Sequence, residues 1–201
     1  MRYIGLILTI VTAIIFTSSL FVNVSAQQNQ NMPKAANSPE LKGAELLAAE
    51  LEFPDGSSYQ TYLNISSKKF NISDIKSDVV LVQIFSMYCP HCQKDAPNMN
   101  TFFNMIRNSE IYKDKIKLIG IGVGNSLFEV DFFRKTYSVE FPLFSDQDFK
   151  IHKLLGEVRT PYFIGIKRLK DGSNKIFLSE AGGDREPEQF LNQIIKQAQL
   201  Q

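Results

Sequence analysis

The stretch VVLVQIFSMYCPHCQKDAPNM, residues 79–99, carries both cysteines of the chain, Cys89 and Cys92, three positions apart. Residues 79–85 ahead of them form an almost unbroken apolar run rich in β-branched side chains. A run of that length suits a strand buried on both faces of a sheet. Beyond the cysteines, Met99, Phe102, Phe103 and Ile106 recur at i, i+3, i+4 and i+7, the spacing of one helix face, and these side chains read as core. Pro97 lies inside that helix and should bend it. The cysteine pair therefore sits where a buried strand passes into a helix.

The residue inventory narrows what the pair can do. Structural zinc normally takes four Cys or His ligands. The chain offers Cys89, Cys92, His91 and His152, and His91 lies between the two cysteines, where its ring can hardly join both thiolates in one tetrahedron. His152 falls on the polar side of its own helix and is assigned no role. Haem attachment needs Cys-x-x-Cys-His, but Gln93 follows the second cysteine. A Cu(I) site built from two thiolates stays open, because copper(I) accepts low coordination. A purely structural disulfide would close a very short loop and gain little chain entropy, although an oxidised pair is easily kept outside the cytoplasm.

Redox chemistry explains more of the pattern. At the first turn of a helix, unpaired backbone N–H groups and the helix dipole favour a thiolate at Cys89. One helical turn brings Cys92 beside it, ready to resolve a mixed disulfide. Pro90 removes an N–H that the helix would leave free anyway, and it stiffens the turn. His91 is expected to stabilise the Cys89 thiolate, which would raise the reduction potential of the pair.

The flanking sequence supplies a scaffold. Residues 45–75 carry turn chemistry at Pro54-Asp55-Gly56 and again over 64–69, and the short alternating runs beside both turns read as a small antiparallel ribbon. IKLIGIGVG (residues 116–124) is a second buried strand. Ser126 and Glu129 form a capping-box pattern ahead of a helix that reaches about Tyr137. FPLFSD is a short strand, and residues 147–155 are a helix closed by Gly156. Two strand-like arms surround Asp171-Gly172, a hairpin signal. Phe190, Leu191, Ile194, Ile195 and Ala198 mark a C-terminal helix, with Glu186 and Glu188 favouring its start and Lys196 its end. This order gives a mixed α/β fold, a central sheet with parallel crossovers and an antiparallel edge.

Composition sets outer limits. Twenty-two Lys and Arg against 21 Asp and Glu leave a net charge of +1, which excludes a nucleic-acid binder driven by phosphate neutralisation. Arg2 precedes a long apolar stretch that ends with Val24 and Ala26 in the small-residue positions of a signal-peptidase site. Residues 1–26 therefore read as a signal peptide, with retention as a membrane anchor the rival. Residues 27–40, rich in Gln, Asn and Pro, read as a flexible leader, and residues 41–201 as one domain. Either outcome at the N-terminus puts that domain outside the cytoplasm, most readily in a periplasm.

Taken together, VVLVQIFSMYCPHCQKDAPNM, IKLIGIGVG and VRTPYFIGI with its following DG resemble the thioredoxin-like superfamily, specifically its extracytoplasmic TlpA/ResA-like branch. The resemblance runs from about Leu63 to Ala198. It implies a thioredoxin fold with a strand and helix inserted between the motif and the later proline, and thiol–disulfide exchange with exported, cysteine-containing proteins. Apocytochromes c are one client class that it suggests, with a membrane redox partner and a monomeric chain. No cofactor beyond the Cys89–Cys92 dithiol is implied, and no metal; an extracytoplasmic copper(I)-handling protein of the same fold is the alternative.

Pro161 matches the family's cis-proline. Thr160 would then meet the substrate backbone, with Tyr88 and Pro90 also facing the substrate. Asp95 matches an acidic position that exchanges a proton with the second cysteine. Two departures stand out: Ser86-Met87-Tyr88 replaces the family's aromatic-Ala-x-Trp lead, and Cys-Pro-His-Cys is similar to the motif of DsbA-type oxidases.

Overall fold

The computed structural model describes residues 43–56 and 58–200. The proposed signal segment and leader lie outside the described residues. Five strands form the main sheet: β3 (Val79–Phe85), β4 (Ile116–Val123), β5 (Leu143–Asp146), β6 (Tyr162–Arg168) and β7 (Asn174–Ala181). Their order is β5-β4-β3-β6-β7. β4 runs parallel to β3 and to β5, while β6 is antiparallel to both β3 and β7. The helices are α3 (Pro90–Arg107), α4 (Leu127–Thr136), α5 (Lys150–Leu154) and α6 (Pro187–Ala198). This is the mixed sheet flanked by helices that the sequence implies, with α4 and β5 inserted between the second parallel strand and Pro161.

The central strand explains the apolar run. All seven residues of β3 are buried, and their alternation sends Val79, Leu81 and Phe85 to one face and Val80, Val82 and Ile84 to the other. The first face is covered by Met99, Phe102, Phe103 and Ile106 of α3, by Val130 and Phe133 of α4, and by Phe190, Leu191 and Ile194 of α6. The periodicity read from the sequence is thus the buried stripe of each helix. Helix α3 continues through Pro97 to Arg107. The missing proline N–H leaves one carbonyl of the preceding turn without its usual donor.

On the second face lies the N-terminal segment, and here the sequence reading needs correction. Strand β1 (Glu50–Glu52) does pair antiparallel with β2 (Lys69–Asn71). A helix α1 (Gly43–Leu47) precedes them, however, and a helix α2 (Tyr59–Leu63) connects them. Tyr59, Tyr62 and Leu63 stand at i, i+3 and i+4, a helical spacing too short to separate from alternation by eye. The Tyr62 hydroxyl accepts a hydrogen bond of 2.9 Å from the Leu118 N–H, at a point on β4 that β5 is too short to reach. Burial pushes that phenol's pKa up to about 12.

Helix α5 is also shorter than expected. Phe149 takes a left-handed conformation (φ 58°) that breaks the helix ahead of Lys150, and the Asp146 carboxylate accepts from the Ile151 and His152 N–H groups at 3.0 and 2.9 Å. The Phe149 ring packs over Gly124, where φ is +63° and an added Cβ would lie 2.4 Å from the ring. Only glycine suits both demands. Among the described residues no helix is long and apolar enough to cross a membrane.

Candidate functional site

Strand β3 ends at Phe85, and the next four residues carry the chain to Cys89, the N-cap of α3, with Pro90 at the first helical position. This loop is clamped at Met87. Its N–H donates to Asn125 Oδ1 at 2.8 Å, and its carbonyl accepts from Gln93 Nε2 at 2.7 Å. Asn125 is fully buried in the turn between β4 and α4. Neither Asn125 nor Gln93 stands out in the sequence, because a single amide side chain near a turn carries no pattern.

The two sulfurs occupy opposite environments. Both cysteines are free thiols; Cys89 is partly exposed and Cys92 buried. Cys89 Sγ donates to the Thr160 carbonyl at 3.3 Å. Partial burial pushes the Cys89 pKa up, but hydrogen bonds from the Thr160 side chain, from Cys92 and from the His91 N–H outweigh it, so it lies below the usual 9.0. Cys92 lies beneath the same turn, and burial pushes it up to about 12, with the Cys89 sulfur adding to the rise. One turn of helix therefore presents the more acidic thiol outside and a protonated thiol inside.

Facing the sulfurs is the loop into β6. The Thr160–Pro161 peptide bond is cis, and the Thr160 side chain favours the thiolate at both cysteines. Pro161 is held from behind: its carbonyl accepts from the Gly182 N–H at 3.0 Å. A Cβ at Gly183 would stand 3.2 Å from the proline ring, so a side chain there would press on Pro161. The His152 ring, to which the sequence assigns no role, meets the Val158 carbonyl at 2.8 Å and steadies the same loop two residues before Thr160.

The remaining expected residues divide by location. The His91 side chain is exposed, and it is the His91 backbone N–H that meets the Cys89 sulfur. Pro90 and Tyr88 are exposed beside Cys89. The Tyr88 hydroxyl donates to the Glu129 carboxylate, the same carboxylate that closes the capping box of α4 with Ser126. Asp95 is completely buried one turn after Cys92. Desolvation raises its pKa; the N–H groups of Asp184 and Arg185 face the carboxylate and counter this in part, without good hydrogen-bond geometry. Among the described residues no cluster of three or more His, Cys, Asp or Glu side chains is placed to hold a metal ion.

Comparison with known proteins agrees with this geometry. Residues 48–175 match the AhpC/TSA family. The chain is 27% identical over 134 residues to the thiol-disulfide oxidoreductase ResA of Bacillus thuringiensis, covering 66% of this chain and 71% of that protein. Among solved structures it is similar to a secreted Mycobacterium tuberculosis disulfide oxidoreductase homologous to E. coli DsbE. That similarity covers 76% of this chain and 98% of the other, with a TM-score of 0.53 at 14% identity. DsbF of the same bacterium gives a TM-score of 0.53 at 13% identity, over 76% of this chain and 96% of the other. A thioredoxin-like sheet, a reactive dithiol at the head of its first long helix and a family match across more than half of the sequence lead to one conclusion: the chain belongs to the AhpC/TSA family and is a thiol–disulfide oxidoreductase.

Proposed function

We propose that the protein works outside the cytoplasm, exchanging disulfides with exported, cysteine-containing polypeptides through Cys89 and Cys92. The apolar N-terminal stretch with its small residues Val24 and Ala26 supports export, to a periplasm or to the outer face of a membrane if the stretch is retained. In the reducing direction the Cys89 thiolate attacks a client disulfide. The Cys89–client S–S bond forms as the client bond breaks, and the released client sulfur takes up a proton. Cys92 then gives up its proton and attacks Cys89. The second client sulfur leaves as a thiol, the enzyme keeps the Cys89–Cys92 disulfide, and two electrons have passed to the client. Oxidation is the same sequence reversed.

The observation that carries this reading is the asymmetry of the sulfurs, one lowered and partly exposed, the other buried with its pKa at about 12. Thr160 and Pro161 support the docking of a client backbone beside Cys89, and buried Asp95 supports proton exchange with Cys92. The dithiol is the only redox group this chemistry uses. Apocytochromes c are the first client class to test, with a membrane protein as the source of electrons.

A Cys92→Ser variant tests the proposal, because it cannot resolve what Cys89 captures. Expressed with an intact export signal in a bacterial host, it should accumulate disulfide-linked adducts with exported proteins that dithiothreitol releases. The reading fails if the variant carries no more adducts than a Cys89→Ser, Cys92→Ser control.

A further inference from the structure

Helix α4 has two apolar stripes, and folding accounts for one. Val130 and Phe133 are buried in the core beside the sheet. Phe128 and Phe132, at i and i+4 on another face, are 78% and 51% exposed, and Tyr88 beside them is 66% exposed. A surface helix needs one apolar stripe to hold its place, and clustered exposed aromatics mark an interaction site more often than chance. Charges nearby are paired with one another: Asp131 meets Arg134 and Lys135 at 2.7 and 2.6 Å. Because the Tyr88 hydroxyl is committed to Glu129, what Tyr88 offers to a visitor is its ring. Met87, Tyr88, Phe128, Phe132 and Gln147 line an open groove of about 560 Å³.

We propose that this aromatic groove docks the client polypeptide, taking an apolar side chain that lies a few residues from the client's reacting cysteine. The proposal rests on the disulfide-exchange reading of the dithiol and names its substrate class: extended, incompletely folded chains with an apolar residue near the cysteine. The occupant follows from continuity. The groove begins at Met87 and Tyr88, immediately before Cys89, so a chain that presents a sulfur to Cys89 continues along it or turns away from it. Tyr88 adjoins Cys89 in the chain and lines the groove together with Phe128 and Phe132 of α4, so residues close to the client's reacting cysteine are the ones that reach it. A folded client keeps such side chains inside and cannot offer them. Thr160 and Pro161 hold the backbone near the sulfur and read no side chain; the groove supplies the selection.

The test compares three disulfides with the full-length reduced protein: a peptide with Phe and Leu flanking its disulfide cysteine, the same peptide with Ser and Gly there, and glutathione disulfide. The variants are Phe128→Ser and the double Phe128→Ser, Phe132→Ser, both on exposed positions, with circular dichroism confirming their fold. In single-turnover reactions, each leaving the protein as the Cys89–Cys92 disulfide, the wild-type protein should prefer the apolar peptide by about tenfold or more in second-order rate constant. The double variant should lose that preference, the single variant part of it, and both should react with glutathione disulfide within about twofold of wild type. Equal rates on the two peptides, or a preference that survives in the double variant, overturn the groove while leaving the dithiol chemistry intact. Failure of the wild-type protein to exchange with any of the three in either direction, reduced protein with the disulfides or oxidised protein with the corresponding thiols, overturns the dithiol reading and the groove with it. If the wild-type protein proves to be a dimer that the double variant dissociates, the groove is a contact between copies and the proposal falls.

Discussion

The inequality of the two thiols can be measured as a rate ratio in the reduced wild-type protein. Cys92 stands at about 12 and Cys89 below 9.0, so at any pH under 9 the Cys89 thiolate is at least about 10³ times more abundant, at tenfold per pH unit. A less acidic thiolate is intrinsically the stronger nucleophile, with a Brønsted slope of about 0.4–0.5. Over three pH units that returns a factor of about 15–30 to Cys92. The net preference for Cys89 is therefore at least about 30-fold from acidity alone, and the burial of Cys92, which is 1% exposed, adds to it. Initial rates of iodoacetamide labelling between pH 5 and 10, read by mass spectrometry with fragmentation between the two positions, give the ratio directly. Cys89 should label first throughout, with a midpoint below the ordinary thiol range. Comparable initial rates at the two positions, or a Cys89 midpoint at or above 9, would refute the assignment of nucleophile and resolver.

Two further perturbations address the groups around the sulfurs. Burial raises the Asp95 pKa, so the folded state binds that proton more tightly than the unfolded chain does at about 3.9; stability is then complete below about 3.9 and declines as pH rises through the folded value. Asp95→Asn mimics the neutral acid and escapes the decline. In urea unfolding the variant should gain on wild type by about 1.4 kcal/mol per pH unit across that window and hold a constant advantage above it, whereas parallel curves would show that burial does not tax the carboxylate. Asn125→Ala removes the acceptor of the Met87 N–H and should cost about 1–3 kcal/mol of unfolding free energy. It should also loosen the loop that sets Cys89, seen as faster amide exchange at Met87 and Tyr88; unchanged exchange would remove Asn125 from the loop's support.

What was legible in the sequence follows the range of each interaction. The run from Val79 to Phe85 and the stripe Met99, Phe102, Phe103 and Ile106 announce their elements because burial imposes a period on the chain, and the capping box of Ser126 and Glu129 is written within four residues. The cysteine pair is legible for the same reason: its function needs one helical turn. Contacts that bridge distant segments leave no such trace. Asn125 reaches back to Met87 across 38 positions, and the Asp184 and Arg185 amides approach Asp95 from the far end of β7. Helix α2 was missed because five residues, Tyr59–Leu63, fall below the length at which a 3.6-residue period separates from alternation. The Phe149 conformation, which shortens α5, depends on a glycine at position 124 that the local sequence around Phe149 does not contain.

The coupling of the thiols bears on the order proposed for their action. Three influences hold Cys92 high: burial first, then the hydrogen bond and the charge of Cys89. At pH 7 a thiol at about 12 is ionised in only about one molecule in 10⁵, which would make the resolving step slow. Yet Cys89 carries its charge only until it attacks. Once its sulfur is bonded to a client, the charge is gone and its hydrogen-bonding role is changed, so Cys92 becomes easier to deprotonate at the step in which it must react. Alkylating Cys89 with iodoacetamide creates a stable, uncharged stand-in for that intermediate. The Cys92 thiolate, followed by its absorbance near 240 nm, should then appear at a pH below 12 in the alkylated protein. A midpoint unmoved by alkylation would mean that burial alone governs Cys92, and that the proton must be drawn off wholly by a neighbour such as Asp95.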